Sequence, residues 1–355
     1  MVFNAECINF AYCLHKLVRI VKQEPKKIVA RQKLYLLLIV LPVLIITLIV
    51  AFCVCSHFLQ AENHIRYVGM NKVVSEKIAK TVKSMETNAL NVFDEVEKHL
   101  DTPESVVSAL HSKASLAPDV RGYFAAFEPH YFKEKGQWFE PYVHHSDSTE
   151  FEMTQVGSAR HDYTKSDWYI HAKNFGESFW SEPYYYYDGT SISGHYTTFV
   201  KPVFDSAGNL ACVCGADMTF EWLTKELQKI DEASKSDSLL NAYHLLRDFD
   251  FYSIILTNDG SCIVHPEGKN MPIKDENVLR DLTEKKSGIV EMDVHGIPSV
   301  VYYGPIEHID WSLAIIVPKY STLKAMFLLG VTFCGIALIA IILIWLVLYR
   351  YSLRE

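Results

Sequence analysis

Two long stretches of the chain contain no charged side chain, and this feature limits its possible folds more than any other. Residues 34–61 and 325–349 of the 355-residue chain have no Asp, Glu, Lys or Arg. An α-helix rises about 1.5 Å per residue, so roughly 20 apolar residues cross a ~30 Å hydrocarbon layer. We therefore expect two transmembrane helices, over 34–56 and 325–349. Buried core helices are the alternative, but they rarely stay free of charge over such lengths.

The distribution of charge predicts which parts face the cytoplasm. The first 33 residues carry seven Lys or Arg and two Glu, and the tail after the second span carries Arg350 and Arg354. Because Lys and Arg concentrate on the cytoplasmic side, both ends are expected inside the cell. The acidic region between the spans is then extracytoplasmic, in a chain of net charge -8. A cleaved signal peptide is the alternative for the first span, but its charged leader would be too long.

One long helix is predicted to follow the first span. Residues 62–100 contain no Pro and a single Gly, and their apolar residues recur in alternating four- and three-residue steps. The seam consists of Ile78, Val82, Met85, Ala89, Val92 and Val96. Such a seam is typical of coiled coils, so we expect it to form a homodimer interface; packing of the helix on its own domain is the alternative.

Beyond this helix the sequence predicts an α+β fold with two modules in tandem. Strands rich in aromatic residues begin after Pro118. Two units then share one order: a strand that contains Pro202 or Pro305, a turn, and an apolar strand. Ser206–Asn209 and Asn258–Gly260 are predicted hairpin turns. Each module would contain one antiparallel sheet packed against helices.

Several phrases, taken in order, resemble the double Cache sensor domain of bacterial transmembrane receptors. DWYIHA, WSEPYYYYDG and TTFVKPVFDSAGNLACVCGADMTFEWL are similar to the helix, pocket strands and closing hairpin of the family's membrane-distal module. LTNDGSCIVHP and WSLAIIVP are similar to the two ends of its membrane-proximal module. The resemblance covers residues 60–320 and implies two PAS-like modules on a long helix.

The expected organisation combines the spans with this resemblance. Its segments are a cytoplasmic leader (1–33), a first span (34–56), a signalling and dimerisation helix (57–100), a membrane-distal module (101–235), a membrane-proximal module (236–320), a second span (325–349) and a cytoplasmic tail (350–355).

The resemblance implies that the distal module binds a small molecule such as an amino acid, an amine or an organic acid. By position, the implied ligand-binding residues are Trp168, Tyr169, Tyr184, Tyr186, Asp188 and Asp217. Aromatic walls and a carboxylate are suited to a ligand ammonium group. Two positions depart from the amino-acid-binding pattern. Ser166 replaces an Arg that would bind the ligand carboxylate, and Tyr186 replaces an Asp, with Asp188 close by.

The candidate residues also have purely structural interpretations. The tyrosines at 184–187 would alternate between the two faces of a strand, so some of them can form a cross-strand aromatic cluster. Trp168 can be a core anchor, and Asp217 can cap the helix that follows it.

Other sites are not favoured. Cys212, Cys214 and Cys262 are interpreted as small core residues without a disulfide. His144, His145 and His161, with Asp147 and Asp162, lack the spacing of a metal site and are interpreted as loop residues. We expect no cofactor, no metal and no enzymatic activity, since no catalytic motif occurs. An acidic domain also argues against nucleic-acid binding.

The sequence thus predicts a sensor in the cell membrane that detects a small extracytoplasmic solute. Only six residues follow the second span, so we expect either a longer receptor with its own output domain or a cytoplasmic signalling partner. A membrane-anchored binding or scaffold protein for another membrane protein is the alternative function.

Overall fold

The computed structural model describes residues 35–114, 120–145, 151–187, 192–236, 251–266 and 272–353. These residues form two compact units, one of residues 35–64 and 320–353 and the other of residues 65–236 and 251–319. The predicted leader and Asp188 lie outside the described residues.

The secondary structure mixes helices and antiparallel strands. The helices are α1 (Leu41–Glu97), α2 (Pro103–Ala114), α3 (Asp167–Phe175), α4 (Phe220–Ser236), α5 (Glu276–Thr283) and α6 (Lys319–Leu353). The strands are β1 (Gly122–Phe127), β2 (Pro141–His145), β3 (Phe151–Gln155), β4 (Phe179–Trp180), β5 (Tyr184–Tyr186), β6 (Gly194–Phe204), β7 (Leu210–Thr219), β8 (Tyr252–Thr257), β9 (Cys262–Val264), β10 (Gly288–Val294), β11 (Ile297–Ile306) and β12 (Trp311–Pro318). A π-helical turn, Leu36–Val40, precedes α1, and 3-10 turns occupy Lys133–Lys135 and Tyr163–Lys165.

The first unit consists of the apolar parts of α1 and α6. Both helices are long and apolar enough to cross a membrane, and no residue in the most apolar window of either one is buried inside the protein. The rings of Phe52 and Phe333 meet edge to face with centroids 5.9 Å apart. Apolar side chains that no protein covers argue against the core-helix alternative.

The first module is built on a sheet with the order β3-β2-β1-β7-β6-β4, in which β5 also pairs with β6. One sheet face packs against α1 and α2, where Phe93 and Leu110 are fully buried. The opposite face packs against α3 through Phe124, Trp168 and Val213. All the strand pairs in this sheet are antiparallel.

The second module repeats this arrangement. Its sheet has the order β10-β11-β12-β8-β9, and α5 covers one face through Val278 and Leu282. α1 packs on the other face, where the side-chain amide of Asn71 donates hydrogen bonds of 3.0 Å to the carbonyl oxygens of Tyr302 and Leu313. In both modules the second strand lies beside the first, and the last and the penultimate strands follow on the other side of the first. The third strand then comes next in the second module, whereas in the first module β4 comes next and β3 lies beyond β2. The predicted α+β fold with two tandem PAS-like modules is confirmed.

The two predicted hairpin turns are confirmed. Between β6 and β7, the Asp205 carboxylate accepts hydrogen bonds from the backbone N–H groups of Ala207 and Asn209, both at 2.9 Å. Gly208 has a φ of 81° there, and Gly260 in the turn between β8 and β9 has a φ of 80°. Both angles lie in the left-handed region, which glycine enters without steric cost.

The heptad seam packs inside its own unit. Its six residues have exposed fractions of 0 to 5% and belong to the core shared with the two sheets. The prediction that this seam forms the homodimer interface is therefore wrong. A regular apolar spacing identifies the buried face of a helix, but a sheet can cover that face as well as a second helix can.

The prediction that the three cysteines between the two spans are core residues is confirmed only in part. Cys212 and Cys214 are fully buried free thiols with their Sγ atoms 3.8 Å apart, and Cys262 is a half-buried free thiol. The first two are core residues as predicted, whereas Cys262 lies at the edge of the second module's core.

Candidate functional site

A small cavity lies on the α3 side of the first module's sheet. Its walls come from β1, β2, β5, β6, β7, α3 and the loop before α3. The volume of the cavity, taken as the space that the centre of a water molecule can occupy, is about 40 Å³. One water needs roughly 10–15 Å³ by this measure, so the cavity has room for a few non-hydrogen atoms.

Asp217 is the first of two carboxyl groups in the wall. It lies in β7 opposite Thr198 of β6, with 7% of its surface exposed. The Thr198 hydroxyl donates a 2.6 Å hydrogen bond to Oδ1 of Asp217, and the Tyr184 hydroxyl lies 2.7 Å from Thr198 Oγ1. Burial raises the pKa of Asp217 to about 6, although the hydroxyls of Thr198, Tyr142 and Tyr184 oppose this shift.

Asp217 does not cap α4. The first turn of that helix is capped by Thr219, whose Oγ1 accepts a 3.2 Å hydrogen bond from the backbone N–H of Trp222. The structural alternative for Asp217 is therefore excluded, and its side chain faces the cavity.

Glu140 is the second carboxyl group, at the start of β2, with only 3% of its surface exposed. Burial, followed by the charge of Asp217, raises its pKa well above the ordinary value. The Nε2 atom of His161 lies 3.6 Å from Oε2 of Glu140. That oxygen accepts no hydrogen bond within the described part of the chain. Buried polar atoms without a hydrogen bond are uncommon in proteins, and this oxygen is free to accept one from a group that enters the cavity.

Aromatic rings enclose the two carboxyl groups. Trp168 projects from α3, and its ring centroid lies 5.0 Å from that of Phe124. Tyr184 and Tyr186 face the cavity, while Tyr185 and Tyr187 are 57% and 73% exposed. The predicted alternation of these tyrosines is thus observed. The wall is completed by Tyr142, Val156, Ile192 and Tyr196.

A glycine in β7 makes room for this wall. A Cβ added to Gly215 would lie 2.1 Å from the Phe124 ring. Real atoms do not approach so closely, so the ring can occupy its place in the wall only because residue 215 has no side chain.

Four of the six predicted ligand-binding residues meet at this cavity: Trp168, Tyr184, Tyr186 and Asp217. Tyr169 does not line it, because its hydroxyl points away and donates a 2.6 Å hydrogen bond to Glu128, which also binds Lys173. Asp188 lies outside the described residues. Ligand binding by these side chains remains a prediction.

Sequence reasoning missed Glu140, Tyr142, Tyr196 and the cavity position of His161. A signal was present for Glu140, which is the one acidic residue in the apolar and aromatic run WFEPYV. Among the described residues no group of three or more His, Cys, Asp or Glu side chains is placed to hold a metal ion, and Asp147 lies outside these residues. His144 instead contacts Thr154 Oγ1 at 3.0 Å and stacks on Tyr142.

An outer cleft adjoins the cavity and shares His161, Trp168, Tyr184 and Tyr186 with it. The cleft also contains Lys165, Asp167 and Glu182, and its open volume is about 610 Å³. A ligand too large for the inner cavity can therefore place part of its structure in this cleft.

The comparisons with known proteins agree with this architecture. Residues 106–225 match the family model of the first PDC sensor domain of methyl-accepting chemotaxis protein-like proteins. No curated protein matches the sequence significantly.

Solved sensor domains share the fold at low sequence identity. The extracellular domain of mmHK1S-Z3, described as a histidine kinase, is 20% identical with a TM-score of 0.58, over 76% of this chain and 97% of that chain. Methyl-accepting chemotaxis protein X is 17% identical with a TM-score of 0.58, and the match covers 73% of this chain and 99% of that chain. The ligand-binding domain of the chemoreceptor CtaA from Pseudomonas fluorescens, in complex with L-isoleucine, is 16% identical with a TM-score of 0.52, over 76% and 97%. Residues 106–225 are therefore similar to the first PDC sensor domain of methyl-accepting chemotaxis protein-like proteins, and they lie in a unit that shares the fold of these solved sensor domains.

Proposed function

We propose that this chain is a two-pass membrane receptor that binds a small extracytoplasmic solute in the cavity of its first module. In this proposal the first module (101–235) is membrane-distal and the second (236–320) is membrane-proximal. The observation that carries the proposal is the cavity itself, where two buried carboxyl groups and aromatic rings converge. CtaA, whose ligand-binding domain has a similar fold, binds L-isoleucine.

The two buried carboxyl groups of the cavity lower the stability of the fold and are therefore unfavourable as purely structural features. Burying a carboxyl group without a cation opposes folding, and hydrophobic residues of similar size would pack there at less cost. Perturbed carboxyl groups that line a cavity are typical of binding sites. A ligand that compensates their charge supplies a reason for keeping both of them.

Side-chain contacts of β6 connect the cavity wall to α1. Thr198, which binds Asp217, lies on β6, and Lys201 of the same strand forms a 2.7 Å ion pair with Asp94 of α1. Phe199, also on β6, stacks against Phe93 of α1 with centroids 6.3 Å apart. A ligand that favours one position of β6 therefore biases the position of α1, and through it the first span.

The receptor is not an enzyme in this proposal, and its output comes from a cytoplasmic partner or a further domain. It acts as a homodimer through a surface other than the buried seam of α1.

Thermal-shift measurements on the full chain in detergent micelles test ligand binding. The compounds are amino acids, amines, organic acids and purines. A ligand that binds only the folded state at a hundred times its Kd stabilises it by about 2.7 kcal/mol. We expect one class to raise the Tm, and Trp168→Ala or Asp217→Ala to abolish that increase. If no class raises the Tm, the proposal loses its support.

Labelling of intact cells tests the orientation. A cysteine placed at the exposed position 134 (Glu134→Cys) is expected to react with a membrane-impermeant maleimide without permeabilisation. The native Cys7 and Cys13, which belong to the expected cytoplasmic leader, are expected to react only after permeabilisation. Reaction of position 134 only after permeabilisation would contradict the proposed topology.

A further inference from the structure

Two carboxyl groups and one histidine line the inner cavity. The wall contains Glu140 and Asp217, and no Lys or Arg lines it within the described part of the chain. His161 supplies a positive charge only when its imidazole is protonated. A ligand carboxylate in the inner cavity would therefore meet two carboxyl groups and no Lys or Arg, and it would be repelled by either of them when that group is ionised. Lys165 lies in the outer cleft and not in the inner cavity.

Glu140 lacks what a ligand ammonium group would provide. Its Oε2 accepts no hydrogen bond from the described residues, although Glu140 is 97% buried, as its exposed fraction of 3% implies. Asp217, in contrast, already accepts a hydrogen bond from Thr198. An ammonium group has three N–H donors and a positive charge, so it can satisfy Glu140 while it compensates the charge of Asp217.

The remaining walls are suited to the same group. The side chains of Trp168, Tyr184 and Tyr186 line the cavity, and aromatic rings can attract cations. The inner space of about 40 Å³ fits an ammonium group with its first carbon atoms, while the outer cleft can hold the rest of a larger amine.

We propose that this cavity selects organic amines that lack an α-carboxylate, and that Glu140 anchors their ammonium group together with Asp217. The inference rests on the proposed function, since it names the ligand class and a specificity residue of the same site. Glu140 then has two roles, binding the ammonium group and repelling the carboxylate that distinguishes an amino acid from its decarboxylated amine.

Matched pairs of compounds test this inference by calorimetric titration of the full chain in detergent micelles. Each pair is an amine and its parent amino acid: ethylamine and alanine, isobutylamine and valine, phenethylamine and phenylalanine, putrescine and ornithine. We expect at least one amine to bind at least about tenfold more tightly than its parent amino acid. Glu140→Gln is expected to lower the affinity for that amine at least about tenfold and also to reduce the preference for the amine over its parent amino acid.

Glu134→Gln is the matched control, because Glu134 is an exposed acid that lines neither the cavity nor the outer cleft. It is expected to change both affinities less than about threefold, as expected of an exposed charge. The Tm of each variant reports whether it folds, so a loss of binding in an unfolded variant is recognised as such.

The outcomes separate this inference from the proposed function. If an amino acid or an organic acid binds as tightly as any amine, and Asp217→Asn abolishes it, the sensor function stands and the amine inference is overturned. An amine affinity that Glu140→Gln leaves unchanged also overturns the inference. If no compound of any class binds, both lose their support.

Discussion

The indole nitrogen of Trp180 donates a 3.0 Å hydrogen bond to Oε1 of Glu86, and this bond joins β4 of the first module to the C-terminal part of α1. Glu86 is 93% buried, since only 7% of it is exposed, and its other oxygen binds Lys83 at 3.0 Å. Trp180 immediately precedes Ser181, whose hydroxyl accepts a 3.0 Å hydrogen bond from the backbone N–H of Thr198 beside the cavity. The pair is therefore a second attachment between the cavity region and the long helix.

The Trp180→Phe variant is expected to destabilise the protein by about 1–3 kcal/mol. It keeps a ring but removes the donor from a buried carboxylate, which leaves a charged acceptor less satisfied. The free energy of unfolding in urea, measured on the full chain in micelles, checks this. A double-mutant cycle with Glu86→Gln should give a coupling of about 1 kcal/mol or more. A coupling near zero would contradict a direct interaction.

Asp217→Asn is expected to stabilise the protein without ligand at neutral pH. The pKa of Asp217 is about 6 in the folded protein and 3.8 ordinarily, so between these values the folded state binds more protons than the unfolded state. The free energy of unfolding then falls as the pH rises from about 4 to about 6. The total loss, reached above pH 6, is at most about 3 kcal/mol. The Asn variant does not have this loss.

Tm values of wild type and Asp217→Asn at pH 4.5 and pH 7.5 check this expectation. The variant should have the higher Tm at pH 7.5, and the difference should shrink at pH 4.5. The exposed Glu134→Gln is the control and should show no such pH dependence. A lower Tm for Asp217→Asn at pH 7.5 would mean that the ionised carboxylate stabilises the fold.

Gly215→Ala should destabilise the first module by about 1–3 kcal/mol, because the new methyl group would displace the Phe124 ring. Ligand-induced stabilisation should weaken too, since Phe124 lines the cavity. Gly194→Ala is the matched control. Its Cβ would have ordinary contacts of 3.5 Å with Tyr196, so little change is expected. Equal Tm values for the two variants would contradict the close approach of Phe124 to Gly215.

Tyr184→Phe and Tyr185→Phe compare neighbours on opposite faces of β5. Tyr184→Phe removes the hydroxyl that lies 2.7 Å from Thr198 Oγ1 and should cost about 1 kcal/mol. Tyr185 is 57% exposed, so its variant should stay within about 0.5 kcal/mol of wild type. The free energy of unfolding checks both values. Ligand-induced stabilisation should decrease only in Tyr184→Phe, and a decrease in both would count against the cavity as the binding site.

The parts of the fold that the sequence predicts are those with local causes. Asp205 and Gly208 form a turn from their own side chain and backbone, so their identities suffice to predict it. The tandem order of strands follows in the same way from the repeated strand, proline and turn pattern around Pro202 and Pro305.

The parts that the sequence does not predict depend on distant elements. Tyr169 follows Trp168 directly, but successive residues of a helix point about 100° apart, and only the position of the sheet decides which of them meets the cavity. Glu140 and Asp217 line the same cavity only because β1 pairs with both β2 and β7, and no local pattern contains this relation. The seam of α1 is similar, since its period indicates a buried face without indicating what covers it.

The side-chain amide of Asn71 limits how α1 can move along the second module. Both hydrogen bonds, to the carbonyl oxygens of Tyr302 and Leu313, come from one nitrogen atom, so an axial shift of the helix breaks them together. A Cβ at Gly304 would lie 2.8 Å from the amide oxygen, so this amide also fills its site closely. We therefore expect α1 to resist small axial displacements and to slide only when both hydrogen bonds break. A gradually increasing force on the helix would then produce a single, sudden displacement.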